Sequence, residues 1–235
     1  MRARTTATVG PGGALVHLHC EPPLTLRQVR TTPDTCGLCL VGTAAGPLPG
    51  DDLALHLDVR AGARATLTAT GANVAQGRDG ATARLAFSAV LGAGAALTAD
   101  PGPLVVAHGS RVAASVHLDL AADAAVRWSE LVVLGRSGEA AGDATLRWDV
   151  ERDGRPVLRQ QVDVAASRHR VLASTFVTAP DLDARTTVLD PTAVGQRVDA
   201  RTLLVTVVGD DAAEVRDRLT QLARAEARAS RTNQA

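Results

Sequence analysis

The sequence predicts a mostly β protein, a β-helix-like sheet body of stacked antiparallel hairpins with one C-terminal α-helix, and three observations carry that prediction. Leu53, Leu55, Leu57 and Val59 alternate with Ala54, His56, Asp58 and Arg60, the period of two that places apolar side chains on one face of a strand. Gly62, between Ala61 and Ala63, then turns the chain where a larger side chain resists positive φ. The layout recurs: Ala86 to Ala99 repeats it closely, and Val116 to Trp128 more loosely, with Asp123 standing where Gly62 and Gly94 stood. The turn centres fall roughly thirty residues apart, the range of stacked supersecondary units. A hairpin with one apolar face is marginal alone and is stabilised by stacking on the next.

Taken in order, residues 1–13 are rich in Thr, Arg, Gly and Pro and are expected to form a flexible N-terminal segment, with 14–230 as a single domain. Ala14 to Cys20 alternates as a first strand, Pro22 and Pro23 interrupt it, and Thr25 to Arg30 forms a second strand before a turn at Thr31 to Asp34. Leu38 to Gly42 leads into the organising stretch from Gly46 to Thr68. After Ala99, Pro101 and Pro103 mark a bend, and the short run Leu104 to Val106 beside them makes a poor central strand. Alternation resumes from Val112 to Leu120, and Trp128 to Asp143 is an apolar strand running into a Gly-rich turn. Leu146, Trp148 and Val150 share one face, and Asp153-Gly154 signals a hairpin returning through Arg155 to Val164.

Beyond Ala165 the pattern loosens, with a strand in Arg168 to Ala179, a Pro- and Asp-rich connection through Pro191, and a buried strand at Thr202 to Val208. A helix over about 211–228 follows. Asp211 and Glu214 have capping-box spacing, Val215, Leu219 and Leu222 form one stripe, and Arg224 and Arg228 suit the negative end of its dipole.

The 235 residues are enough for a large core, but aromatics are only 2%, so Val, Leu and Ala must fill it. A formal net charge of +0, with no aromatic platform for bases, excludes a nucleic-acid footprint or a polybasic membrane anchor. No apolar run approaches the length of a membrane span, so a soluble cytoplasmic protein is expected.

The chemistry-bearing residues are sparse. Cys20, Cys36 and Cys39 are odd in number, which argues against a disulfide scaffold. Cys36 and Cys39 have ligand-type spacing, and His17 and His19 lie upstream, so these four could assemble a closed metal site; alternatively, the cysteines are small hydrophobes in a buried strand. No serine-hydrolase, zinc-protease, phosphate-loop or dinucleotide signature is present. Asp51 and Asp52 follow Gly50, Glu130 ends a strand, and Glu139 and Asp143 lie in the turn after Arg136. Such carboxylates could pair as acid and base or as ligands for a divalent ion, or simply hold turns, with Arg136 and Glu139 as a local ion pair.

Four segments at these residues occur in the order and approximate spacing of a known family: Ala45 to Asp51, containing Gly46, Gly50 and Asp51; Gly62 to Thr68, containing Ala63, Leu67 and Thr68; Pro101 to Arg111; and Glu130 to Glu139, containing Gly135 and Arg136. Together they resemble the urease accessory protein UreD family, called UreH in some systems. Ala45 and Pro49 replace glycines of the usual pattern, and Ala69 to Asn73 lacks its lysine and aromatic. The resemblance implies a β-helix-like body that is no enzyme and binds no cofactor tightly. It implies direct binding to UreF, contact with the GTPase UreG through UreF, docking on urease apoprotein, and transient nickel passing toward the urease active site through an internal, water-filled passage. Asp51 and Glu139 are candidate polar lining on that picture. Two other classes stay open beside it: a metal- or ligand-binding β-module using the Cys36 and Cys39 region, and a carboxylate-based hydrolase.

Overall fold

The computed structural model describes residues 1–77, 80–164, 166–180, 182 and 187–232, without the side chains of 187–189 and 224–232. Its strands, in chain order, are β1 (Arg2–Gly10), β2 (Ala14–His19), β3 (Leu24–Val29), β4 (Cys36–Gly42), β5 (Asp52–Val59), β6 (Arg64–Ala69), β7 (Asn73–Ala75), β8 (Thr82–Leu91) and β9 (Ala96–Ala99). They continue as β10 (Leu104–Val106), β11 (Arg111–Leu120), β12 (Ala125–Leu134), β13 (Asp143–Arg152), β14 (Arg155–Asp163), β15 (Val171–Thr178), β16 (Thr187–Asp190), β17 (Ala193–Asp199) and β18 (Thr202–Gly209), followed by helix α1 (Ala212–Thr232).

Two sheets face each other. Sheet A has the order β14-β13-β11-β8-β5-β1-β2, and sheet B runs β16-β17-β18-β15-β12-β9-β6-β4-β3, with β10 paired to β12 and β7. The recurrent units stack along one axis as expected, so the body is β-helix-like, but the pairing inside each unit differs from a hairpin. β5 and β6, β8 and β9, and β11 and β12 leave their turns for opposite sheets. Each unit is therefore an arch that encloses core between its legs. Successive legs pair in parallel, β1-β5-β8-β11-β13 in sheet A and β4-β6-β9-β12 in sheet B. Period-two alternation reports which face is apolar; it does not report which strand becomes the hydrogen-bonding partner.

The arch turns stack on one another. Gly62 N–H donates to the Ala93 carbonyl at 2.8 Å, and Gly94 N–H donates to Asp123 Oδ1 at 2.9 Å. Gly62 holds φ +69° with open space where a Cβ would lie, so its glycine answers the backbone alone. Leu53, Leu55, Leu57 and Val59 all point into the core and are buried, as are Ala63 and Leu67 across from them. Phe87 and Trp128 pack at 6.0 Å between centroids, and Trp148 and Phe176 at 5.9 Å, placing the few large rings between the sheets.

The N-terminal segment expected to be loose is strand β1, hydrogen-bonded between β5 and β2. Ala3, Thr5, Ala7 and Val9 face inward, and Thr5 Oγ1 donates to the Leu24 carbonyl, tying it to sheet B. Leu104–Val106 also departs from expectation: β10 is paired on both sides. Its two prolines lie before it, where no ladder bond is required of them. The Asp153-Gly154 hairpin joins β13 and β14, with φ +49° and +67° at the two turn residues.

At the other end, Asp211 Oδ1 accepts from the N–H groups of Ala213 and Glu214 at 2.8 and 2.9 Å, the N-cap expected from its spacing. Val215 and Leu219 pack on Leu131, Ala173, Val205 and Val207 of the outer face of sheet B. Burying each such side chain stabilises the contact by roughly 1.5–3 kcal/mol. The Arg224 and Arg228 side chains lie outside the described ones. No described helix is long and apolar enough to cross a membrane.

Candidate functional site

Proline chemistry opens a gap in sheet B. β9 pairs with β12 from Ala125 to Trp128, and β10 pairs with it from Val132 to Leu134. Between them Asp100 to Pro103 leaves the sheet, since Pro101 and Pro103 carry no N–H with which to continue a ladder. Among the described residues, Ser129, Glu130 and Leu131 therefore have no strand partner on that side. The next pair of strands is broken at the same level, where Thr70 to Ala72 separate β6 from β7.

Glu130 stands at this gap. It shares the inward parity of Val126, Trp128, Val132 and Leu134, all core residues, so a carboxylate occupies a position in an otherwise apolar row. Trp148 Nε1–H on β13, in the opposite sheet, donates to Glu130 Oε1 at 2.5 Å. Burial pushes the Glu130 carboxyl up to about 7, against the opposing pull of the Trp148 hydrogen bond. Glu130 borders two cavities. One, of about 30 Å³, lies between the sheets against Phe87, Gly102, Leu104, Trp128 and Leu146; the other, of about 60 Å³, lies beneath α1 against Asp100, Arg127, Ser129, Thr175 and Arg216. The inner one exceeds the roughly 10–15 Å³ that one water requires. Trp128, on its wall, has a buried Nε1 with no hydrogen-bond partner among the described residues.

Larger hollows adjoin the gap. One of about 290 Å³ includes Gly46, Thr70, Gly71 and Asn73, and another of about 390 Å³ includes Thr68, Thr70, Asp100, Gly102 and Arg216. Asn73 and Gly102 also line the inner cavity, so these spaces meet at shared walls around the break in sheet B.

The other motif residues build turns. Asp51 is buried: its Oδ2 accepts from Leu48 N–H at 2.9 Å and its Oδ1 lies 2.6 Å from the Met1 amino group, closing the turn of Gly46 and Gly50. Thr68 is exposed, its hydroxyl directed at the Leu38 carbonyl at 3.5 Å. Glu139 receives Arg136 Nη2 and the N–H groups of Arg136 and His108, and the Arg136 guanidinium holds its carboxyl down at about 2. Gly135 has φ +80°, and a Cβ there would lie 2.5 Å from the Ala140 carbonyl oxygen and from an Arg170 nitrogen. Arg170 gathers this turn, donating to the carbonyls of Leu134, Arg136 and Glu139. Asp51 and Glu139 precede β5 and β13, which β8 and β11 separate, so the fold does not bring these carboxylates together.

The four metal candidates are also apart. Cys36 is buried in the core, where burial raises its thiol, and Cys39 points to the other side of β4; His17 and His19 are exposed on β2 of sheet A. Among the described residues no group of three or more His, Cys, Asp or Glu side chains could hold a metal ion. Sequence reasoning named Glu130 and the turn from Gly135 to Glu139 but missed their respective partners, Trp148 and Arg170; the inward parity of Trp148 with Leu146 and Val150 was the available signal for the first.

A family model described as UreD urease accessory protein matches residues 2–235. Urease accessory protein UreD 1 of Streptomyces griseus subsp. griseus is 40% identical over 131 residues, 56% of this chain and 51% of that relative, so this match spans about half of the relative's length. Urease accessory protein UreD 3 of the same organism is 32% identical over 232 residues, covering 91% of this chain and 90% of the relative. Urease accessory protein UreD of Streptomyces avermitilis is 31% identical over 231 residues, covering 89% and 92%. By that match over residues 2–235 and by relatives covered along nine-tenths of their length, the chain belongs to the UreD urease accessory protein family.

Proposed function

We propose that this chain acts in the cytoplasm as a non-catalytic scaffold of urease maturation. It binds UreF directly, engages the GTPase UreG through UreF, docks on urease apoprotein and supports delivery of nickel to the urease active site. The observation that carries the reading is the gap in sheet B, where an inner cavity and a cavity beneath α1 share the Glu130 carboxylate as a wall. Glu130, with Asp100 on the outer cavity, places sparse oxygen donors beside water-sized space, which suits a divalent ion in transit: hard donors without the multidentate cage that would retain the ion. Extended sheet faces with few chemically reactive side chains suit a protein that holds others.

The test is complementation. In cells lacking their own copy, co-expression of this chain with urease subunits, UreF and UreG is expected to restore nickel content and urease activity, and the chain is expected to copurify with UreF. Nickel-free urease despite equal expression and a full nickel supply would overturn the reading.

A further inference from the structure

The outer face of sheet A carries a row of side chains not used by the gap. Register places His56 of β5 opposite Ser88 of β8, Ser88 opposite His117 of β11, and His117 opposite Asp149 of β13. Their flanking neighbours, Leu55 and Leu57, Phe87 and Ala89, Val116 and Leu118, and Trp148 and Val150, are buried, so these four point the opposite way, toward solvent. His56 and His117 belong to two copies of the tripeptide His-Leu-Asp, residues 56–58 and 117–119. The coil repeat brings the copies into register two strands apart.

Strand spacing fixes the reach. Neighbouring strands lie about 4.8 Å apart, so two spacings hold the His56 and His117 backbones about 9.6 Å apart. Only the hydroxymethyl group of Ser88 stands between them, which leaves room for two imidazoles to lean toward a common point above it. His56 Nδ1 already lies 2.9 Å from Ser88 Oγ. On the far side of His117, the Asp149 carboxylate is fixed by Arg147 Nε and Nη2 at 2.6 and 3.2 Å. In the structure Asp149 is hydrogen-bonded to Arg147, and register alone sets it behind His117; on metal binding it can accept from one ring nitrogen of His117 and leave the other to the ion, as carboxylates do for metal-ligating histidines.

A second notch in the same row is less suited. His19 stands beyond Thr6 from His56, but His19 Nε2 is 3.4 Å from Glu21 Oε1, and Thr6 adds a methyl where Ser88 has none.

We propose that His56 and His117 form an open binding site for a divalent first-row transition ion, seated over Ser88, with Asp149 as the positioning residue for His117 and water completing the coordination. Imidazole nitrogen suits nickel, copper and zinc among such ions. With two protein ligands the ion remains exchangeable, unlike one in a closed four-ligand site. The choice of nickel as probe rests on the urease-maturation reading; the site itself rests on register and spacing.

The experiment titrates NiCl2 into the full chain by equilibrium dialysis, with X-ray absorption at the nickel edge to count imidazole ligands. His56→Ala and His117→Ala are each expected to weaken this site about tenfold or more and to leave one imidazole where the wild type shows two, while Asp149→Asn weakens it by roughly tenfold. His108→Ala, on an exposed loop elsewhere, is expected to bind as wild type does. Unchanged binding in both His56→Ala and His117→Ala, or a loss that follows His19→Ala and spares His117→Ala, overturns the proposal. Because the readout is binding by the isolated chain, its failure leaves urease maturation in the complementation test untouched, and the converse also holds.

Discussion

Trp148 Nε1–H and Glu130 Oε1 meet at 2.5 Å across the inter-sheet core, so a single hydrogen bond ties β13 of sheet A to β12 of sheet B beside the break in that sheet. This bond meets only part of the carboxylate's need for donors, and burial dominates the titration of the group. Between pH 4.5 and about 7, therefore, the folded protein holds a proton on Glu130 that the unfolded chain has already released.

Stability should fall as pH rises from 4.5 toward 7. In that interval the folded state binds the extra proton, so the unfolded state is favoured by its loss; the raised value, from 4.5 to about 7, corresponds to roughly 3 kcal/mol at most. Glu130→Gln keeps the acceptor for Trp148 and should remove this slope from denaturant-derived unfolding free energies, leaving the variant more stable than wild type at pH 8.

Trp148→Phe keeps a ring against Phe176 but deletes the donor to Glu130. The expected cost is about 1–3 kcal/mol at pH 8, where the half-buried carboxylate would lose its Trp148 donor. In a Glu130→Leu background the same substitution should cost about 1 kcal/mol less or better, a coupling that a double-mutant cycle reads directly.

Two glycines of the motif turns should respond unequally. Gly62→Ala meets open space and suffers only from its positive φ, for an expected loss of about 1 kcal/mol. Gly135→Ala adds a collision with the Ala140 backbone to the same strain, so its loss should be clearly larger, roughly 2 kcal/mol or more. Thermal or denaturant unfolding of the two variants checks the order.

The Glu139 turn should open in acid. Its carboxyl is held at about 2 in the folded state against an ordinary 4.5, so its stabilising contribution is present above 4.5 and is lost as pH falls through 2. The amides of Arg136 and His108, both donors to Glu139, should lose hydrogen-exchange protection over that range ahead of the core strands, and Glu139→Gln should show the loss already at neutral pH.

Much of this fold was legible because local chemistry and periodicity are informative where side chains are large. The stripe from Leu53 to Val59, the turns at Gly62 and Gly94, the Asp153-Gly154 hairpin and the Asp211 cap all carry their causes within a few residues. Strand β1 was hidden because its inward row is Ala3, Thr5, Ala7 and Val9, too small and too polar for the alternation to stand out. The arches read as hairpins because partner choice depends on strands some thirty residues away. At the site, the prolines announced a bend, but its effect on the distant stretch Ser129 to Leu131, and the meeting of Glu130 with Trp148, follow from register across two sheets.

The proposed delivery of nickel depends on the carboxylate at the break in sheet B, and the nickel content of urease matured with a Glu130→Leu chain tests that dependence most directly. Leucine removes the carboxylate and leaves an apolar side chain in an apolar row, so the variant should accumulate to the wild-type level and match the wild-type chain in copurification with UreF, the partner proposed above. Urease purified from those cells is expected to carry much less nickel per active site than urease matured with the wild-type chain. Equal nickel content at equal expression would contradict the account.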